Sequence, residues 1–138
     1  MKKQKSFQAR IELLHPMISW VREELAFYGV VESFLTRLEL ALEEALVNII
    51  RHAYQERPEE ILIQLECIPK IGARITLIDN GLAFNPLERQ SSALDTSAPL
   101  EEMEEGGLGI LFIKKSVDDV LYERRGNQNV LTLVKKFH

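Results

Sequence analysis

The sequence predicts an α+β fold in which a mixed, mostly antiparallel sheet is covered on one face by helices. Its hydrophobic periodicity switches between strand and helix in the order β, α, α, β, β, lid, α, β, β. Neighbouring strands are joined by turns short enough for hairpins, which connect antiparallel strands. Hydrophobic residues are 46% and charged residues 28% of the 138 residues, so we expect a single globular domain over 1–138.

The first part of the chain is predicted to form one strand and two helices. Apolar and polar residues alternate over 4–12, which predicts a half-buried strand. Pro16 lies in the first turn of a helix that ends at Gly29. An apolar stripe with the 3.6-residue period then predicts a longer helix from about residue 31 to about residue 54.

The rest of the chain is predicted to form two hairpins separated by a long lid. Residues 61–68 and 73–78 alternate as strands around a short turn. Residues 80–107 have no periodic pattern, which in a compact domain indicates either a functional lid or a wrong assignment of elements. Residues 108–117 are typical of a helix, and a strand, the turn at 126–129 and a last strand complete the chain.

Composition and motif content exclude several classes of protein. Lys and Arg number 17 against 21 Asp and Glu, a net charge of −4, which disfavours a nucleic-acid binder or a binder of anionic membranes. The single cysteine, Cys67, cannot form an internal disulfide. No apolar stretch approaches the length of about 18 residues that a membrane helix needs, and no signal peptide is predicted. We therefore expect a cytoplasmic protein. The common phosphate-loop and dinucleotide-binding motifs are absent from the sequence, which argues against those folds.

Three polar residues follow one another at four-residue spacing on the longer helix. Glu44, Asn48 and His52 are predicted to share one face. Asparagine is a poor helix former, but its carbonyl oxygen can bind Mg²⁺, and a carboxylate one turn earlier can act as a general base. The alternative is a solvated polar face, with His52 as a surface or capping residue.

Two further segments could contact a ligand. Asp79 ends an apolar strand and is followed by Asn80 and Gly81, so its carboxylate could accept the amine of adenine or could simply belong to a turn. Glycines at 106, 107 and 109 precede the last predicted helix, where free N–H groups could bind phosphate. The alternative for these glycines is a flexible hinge.

Together these three segments resemble the nucleotide-binding boxes of the GHKL ATPase/kinase superfamily. Residues 44–53 resemble its N box, 79–86 its G1 box and 106–110 its G2 box. The short chain and its last strands most resemble the anti-sigma-factor serine/threonine protein kinases of the RsbW type. The resemblance implies the Bergerat fold, a two-layer α/β sandwich.

The resemblance also implies roles for individual residues. Asn48 would hold Mg²⁺ against the phosphates of ATP, Glu44 would deprotonate the target hydroxyl, and Asp79 would contact adenine beside Gly81. The segment from about 87 to 105 would be the ATP lid. The other residues implied in nucleotide contact are His52, Phe84, Gly106, Gly107, Leu108 and Gly109.

The implied partners are proteins. Members of this type phosphorylate a serine or threonine of a STAS-domain antagonist, sequester a sigma factor and often act as homodimers, without binding nucleic acid or membrane directly. The predicted lid departs from a typical phosphate-binding segment, because it ends in an acidic run and contains one basic residue, Arg89. Two alternatives to a kinase are a nucleotide-gated binding module without phosphoryl transfer, which does not require Glu44, and a plain ATPase.

Overall fold

The computed structural model describes residues 1–53, 59–83, 85 and 113–137. In chain order its elements are β1 (Lys2–Gln8), a 3₁₀ turn (Ile11–Leu13), α1 (Leu14–Phe27), α2 (Glu32–Asn48), a π-helical turn (Ile49–Ala53), β2 (Glu60–Ile68), β3 (Gly72–Asp79), β4 (Asp119–Arg125) and β5 (Gln128–Lys136). Residues 113–116 are also helical. Most of the predicted lid and the start of the last predicted helix lie outside these residues.

The five strands form one sheet in the order β1-β2-β3-β5-β4. Every pair of neighbours is antiparallel. The two predicted hairpins are confirmed, since β2 pairs with β3 and β4 pairs with β5. The register places Asp79, the last residue of β3, opposite Ile61 on one side and Asn129 on the other.

The hydrophobic core lies between the helices and one face of this sheet. Alternate residues of β2 are buried from Ile61 to Cys67, as the sequence predicted, and they join one cluster with Leu42 and Leu46 of α2. On the other face of β2, residues such as Gln64 are only half-buried. Burying a large aliphatic side chain contributes about 1.5–3 kcal/mol, so this one-sided core fixes which face of each element points inward. None of the helices that the structure describes is long and apolar enough to cross a membrane.

The turn between α1 and α2 follows the prediction. The amide N of Gly29 donates to the carbonyl O of Ala26 at 2.9 Å, and that of Val30 donates to the carbonyl O of Leu25 at 3.2 Å. Gly29 has a φ of 86°, the left-handed conformation in which a residue with a side chain is strained. These two bonds are those of a Schellman motif, which ends α1 and allows α2 to run back along it.

Two predicted boundaries are wrong. The first strand ends at Gln8 and not at residue 12, because the chain turns there to carry α1 over the sheet, and Ile11 lies in the 3₁₀ turn with 50% of its surface exposed. The longer helix does not continue to residue 54 as an α-helix, since α2 ends at Asn48 and the π-helical turn follows. In both places an unbroken hydrophobic pattern conceals a change in backbone geometry.

Candidate functional site

A network of hydrogen bonds fixes the carboxylate of Asp79 at the end of β3. Asp79 is 2% exposed. Its Oδ1 atom accepts a hydrogen bond from the amide N of Gly81 at 2.9 Å and another from Nδ2 of Asn129 at 3.0 Å. Because both bonds that the structure describes end on Oδ1, the second oxygen, Oδ2, is left to accept from a ligand.

Asn129 connects this carboxylate to the neighbouring hairpin. Its Nδ2 atom also donates to the carbonyl O of Leu82 at 2.8 Å, and its Oδ1 accepts from the hydroxyl of Tyr122 and from Nη1 of Arg124. Arg124 in turn donates to the carbonyl O of Gly81 at 2.9 Å. The segment after β3 is thus tied to β4 and β5 by side chains as well as by the sheet.

Sequence reasoning missed Asn129, Tyr122 and Arg124. It placed residue 129 in a turn, whereas β5 begins at Gln128, so Asn129 is in the strand and opposite Asp79. The usable signal was the alternation of Asn129 with Leu131 and Leu133, which puts a buried polar residue on the core face. Buried amides are almost always hydrogen-bonded, which makes a partner for this residue expected.

The surroundings of Asp79 act on its charge in opposite directions. Burial raises the pKa of the carboxyl group, and the nearby Glu59 adds to that rise. The hydrogen bonds from Asn129 and Gly81, and the charge of Arg124, lower the pKa again, but burial has the larger effect. A hydrogen-bond donor placed against Oδ2 would favour the ionised form and offset part of this desolvation.

The polar residues of α2 differ in burial. Glu43 is exposed, Glu44 is half-buried, and Asn48, the last residue of α2, is 8% exposed. The structure describes no hydrogen bond to the Asn48 amide, yet within the described residues no fully buried side-chain N or O atom lacks a partner. The amide of Asn48 therefore still reaches solvent, where its oxygen can bind a cation.

The backbone at His52 is π-helical, whereas the prediction assumed an α-helix. The prediction placed Glu44, Asn48 and His52 on one face by α-helical spacing. That spacing holds between Glu44 and Asn48, but His52 lies inside the π-helical turn, whose hydrogen bonds span five residues instead of four. The α-helical spacing used in the prediction therefore does not apply to the backbone after Asn48, and single π-turns of this kind are frequent at functional sites.

Asn48 and Asp79 each end an element that starts beside the same cavity. The start of α2 and the residues just before β3 line a common cavity, to which Phe34 and Lys70 both contribute. From there α2 runs for 17 residues, about 25 Å, and β3 runs for 8 residues, also about 25 Å. Asn48 ends α2 and Asp79 ends β3, so each lies at the end of its element away from this cavity.

A scan against protein-family models matches residues 7–135 to the histidine kinase-like ATPase domain. The chain belongs to this family. The match spans both helices, strands β2 to β4, nearly all of β5 and the last two residues of β1. The antiparallel sheet with helices on one face agrees with the fold that the sequence predicted.

Relatives of this family member are bacterial proteins. It is 36% identical over 85 residues to the serine-protein kinase RsbW of Bacillus thuringiensis strain Al Hakam and to that of Bacillus cereus strain 03BB102. It is 35% identical over 85 residues to the same protein of Bacillus cereus strain ATCC 10987. Each alignment covers 60% of this chain and 52% of the relative, so the similarity spans about half the length of those proteins.

The remaining predicted site residues of the chain lie outside the part that the structure describes. These are Phe84, Gly106, Gly107, Leu108 and Gly109. Gly81 is described and buried, and its carbonyl and amide both take part in the Asp79 network. The described residues contain no group of three or more His, Cys, Asp or Glu side chains that could hold a metal ion.

Proposed function

We propose that this protein is an Mg²⁺- and ATP-dependent serine/threonine protein kinase that also acts as an anti-sigma factor. The observation that supports this most strongly is the buried Asp79, whose Oδ1 is held by two hydrogen bonds while Oδ2 is available to a ligand. We place the end of α2, with Glu44 and Asn48, beside this carboxylate in the same site. Membership of a kinase-like ATPase family and relatives named serine-protein kinases support the same function.

Asp79 is the residue that we assign to adenine recognition. An ionised carboxylate only accepts hydrogen bonds, so Oδ2 pairs with the exocyclic amine of adenine and repels the carbonyl oxygen of guanine. Asn129 and Gly81 hold the carboxylate in place before the nucleotide arrives. The buried Gly81 lets the base approach the backbone closely, since it has no side chain.

Asn48 is the residue that we assign to Mg²⁺. Its amide is nearly buried but still reaches solvent, and a neutral amide oxygen is a ligand of the kind that this hard cation prefers. One protein ligand is sufficient in such a site, because Mg²⁺ usually keeps several waters and shares oxygens with substrate phosphates. When bound, the ion would neutralise charge on the phosphates.

Glu44 is the residue that we assign to proton transfer. Its carboxylate takes the proton of a serine or threonine hydroxyl, and the oxygen then forms a bond to the γ-phosphorus of ATP. The bond between that phosphorus and the bridging oxygen breaks, so ADP leaves with the bridging oxygen. Such transfer depends on positioning and charge stabilisation more than on covalent catalysis, which suits a small site.

The further residues proposed for nucleotide contact come from the family resemblance. They are His52, Phe84, Gly106, Gly107, Leu108 and Gly109. We extend the proposal to a STAS-domain antagonist as the phosphorylated protein, a sigma factor as the sequestered one, a homodimer as the assembly and the cytoplasm as the compartment. Residues 1–138 would act together as one ATP-binding domain.

Transfer of labelled γ-phosphate from Mg·ATP into proteins of a lysate of the source cell tests this function. Glu44→Gln should lower transfer by about 100-fold or more, the usual contribution of a general base. The matched control is Glu43→Gln, which makes the same change one residue away at an exposed position and should retain transfer within about twofold. ATP titration of both variants should give unchanged affinity.

Two other results would overturn parts of this proposal. Equal transfer by Glu44→Gln and the wild type would remove Glu44 from the mechanism. Absence of any labelled protein, with ATP binding intact, would favour a nucleotide-gated binding module that regulates its partner without phosphoryl transfer.

A further inference from the structure

The cavity lined by Phe34 and Lys70 lies at the end of β3 opposite Asp79. It is a cavity of about 730 Å³ between the α1–α2 turn, the β2–β3 turn and the end of β5. Its floor is apolar: Phe34 and Phe137 line it with ring centroids 4.9 Å apart, beside Val30. A cavity of this volume and composition is typical of a binding site.

The rim of this cavity is positively charged. Its basic residues are Arg37, Lys70, Lys135 and Lys136. Among the described residues that line the cavity, none is an aspartate or glutamate, although the whole chain has a net charge of −4. A nearby carboxylate, Glu32, is paired with Arg22 on the helices.

No ion pair to these side chains is present within the described part of the chain, although Oδ2 of Asp118 accepts a hydrogen bond from the backbone N of Lys136 at 2.6 Å. Lys135 donates from Nζ to the carbonyl O of Ser116 at 2.8 Å and lies over the ring of Phe34, so its charge has no carboxylate partner. Arg37, Lys70 and Lys136 form no ion pair with any described residue. The rim therefore favours a negatively charged partner.

Exposed apolar side chains lie at the edge of the cavity and beside it, on both turns. Phe27 is 85% exposed and Val31 63% exposed on the α1–α2 turn, and Ile71 is 58% exposed on the β2–β3 turn. Grouped exposed apolar residues rimmed by charge are typical of interaction surfaces. Because they flank the cavity on two sides, an occupant that covers them must be larger than a ligand confined to the cavity.

Val31 contributes less to the stability of α2 than a capping residue would. It is the N-cap residue of α2 and makes no side-chain hydrogen bond to the helix, whereas serine, threonine, aspartate and asparagine are strongly preferred there. Departures from local rules are expected where a residue serves function. An exposed valine at this position is explained if it contacts a partner.

We propose that this surface docks an acidic segment of a partner protein, one in which aspartate or glutamate residues flank aromatic or aliphatic side chains. The apolar side chains of the segment enter the cavity, and its carboxylates contact Arg37, Lys70 and Lys136. The proposal goes beyond the proposed kinase function and does not depend on it, since the cavity lies at the end of the fold away from Asp79.

Selection of displayed random peptides against the nucleotide-free protein tests this proposal. Peptides of about a dozen residues that bind here should be enriched in both acidic and aromatic or aliphatic residues. The double variant K70E/K136E should weaken a selected peptide by about tenfold or more, and added salt should weaken it further. The matched control K3E/K5E changes net charge equally on β1, where both lysines are exposed, and should bind the peptide like the wild type.

Val31→Ser separates docking from folding. Serine is a favourable N-cap residue, so the thermal midpoint should stay the same or rise. The selected peptide should nevertheless bind about fivefold or more weakly, because an exposed apolar contact is lost. Loss of binding in a variant of undiminished stability cannot result from unfolding.

Three results would overturn the proposal. The first is a selection that yields only peptides whose binding is equal for the wild type and K70E/K136E. The second is selected peptides that bind Val31→Ser as tightly as the wild type. The third is a concentration-dependent dimer in sedimentation that Val31→Ser dissociates, which would identify a second copy of this chain as the occupant.

Discussion

The two ends of the sheet hold their polar groups in opposite ways. At one end, Asp79 and Asn129 are 2% and 4% exposed, and their hydrogen bonds fix them to each other and to the backbone of Gly81 and Leu82. At the other end, apolar rings form a buried floor, and the charges of Lys70 and Lys136 stand at the rim.

This difference separates two kinds of recognition. Buried polar groups held by several hydrogen bonds cannot adjust, so they distinguish one ligand from another by geometry. Charges on flexible side chains around an apolar surface can adapt, and they attract a partner over a distance that salt reduces. The first arrangement suits a nucleotide, and the second suits a segment of a protein.

Asn48→Ala should have a large effect on nucleotide affinity. If Asn48 binds Mg²⁺, this change should lower ATP affinity by about 10- to 100-fold in the presence of Mg²⁺, the range typical of disrupted metal sites. With EDTA in place of Mg²⁺, the variant and the wild type should bind ATP equally. Titration calorimetry under the two conditions makes this comparison.

Equal losses with and without the metal would show that Asn48 acts through the fold instead. The cavity at the start of α2 provides the internal control for this variant. The peptide selected against the cavity should bind Asn48→Ala and the wild type equally. Asn48 is the last residue of α2, whereas the cavity lies at the start of this helix.

Asn129→Ala should have the next largest effect, on stability. It removes the donor to Asp79 Oδ1 and to the carbonyl O of Leu82, and a buried group left without its partner costs about 1–3 kcal/mol. Urea unfolding measures the loss. Asn127→Ala is the matched control in the same hairpin, where the side chain is exposed, and should change the free energy of unfolding by less than about 0.5 kcal/mol. Similar losses in both variants would contradict the importance of the buried network.

The sequence indicated more about the Asp79 end of the sheet than about the cavity end. Periodicity identified the elements of both, and Gly29 marked the end of α1 because few residues tolerate its positive φ. Asp79, Gly81 and Asn48 were found from residue chemistry and from the family resemblance.

What the sequence could not provide was the pairing of distant residues. Asn129 is 50 positions from Asp79, and only the strand register brings the two together. The π-helical turn after Asn48 escaped prediction for a related reason, since the apolar pattern continues through it while the hydrogen bonding changes. The cationic cavity likewise gathers Arg37, Lys70 and Lys136 from three separate segments.

A smaller effect is expected from Asp79→Asn on the stability of the nucleotide-free protein. Burial raises the pKa of Asp79 above its ordinary value of 3.8, so the native state holds its proton to a higher pH than the unfolded state does. The free energy of unfolding of the wild type therefore falls as the pH rises from 3.8 to the higher pKa of the native carboxyl group. The asparagine variant avoids this loss and should be the more stable protein at neutral pH.

The advantage of Asp79→Asn should shrink as pH falls towards 3.8, where the wild-type carboxyl group gains its proton. Urea midpoints at a series of pH values follow the difference. An advantage that grows on acidification would mean that hydrogen bonds to the ionised carboxylate outweigh its desolvation.

The smallest effect is expected at the cavity rim. Lys136→Ala removes an exposed charge that no described carboxylate pairs with, so the free energy of unfolding should change by less than about 0.5 kcal/mol. Its effect should be confined to peptide binding. A loss of stability as large as that of Asn129→Ala would make Lys136 a structural residue and would remove the contrast between the two ends.

The central claim is that the Asp79 end binds an adenine nucleotide, and titration of wild type and Asp79→Asn with ATP and with GTP tests it most directly. The wild type should bind ATP well above GTP. Asp79→Asn should lose about 10- to 100-fold in ATP affinity, the value of one charge-assisted hydrogen bond of roughly 1.5–3 kcal/mol, with little change for GTP. Comparable binding of ATP and GTP by the wild type, or an unchanged ATP affinity in Asp79→Asn, would contradict the claim.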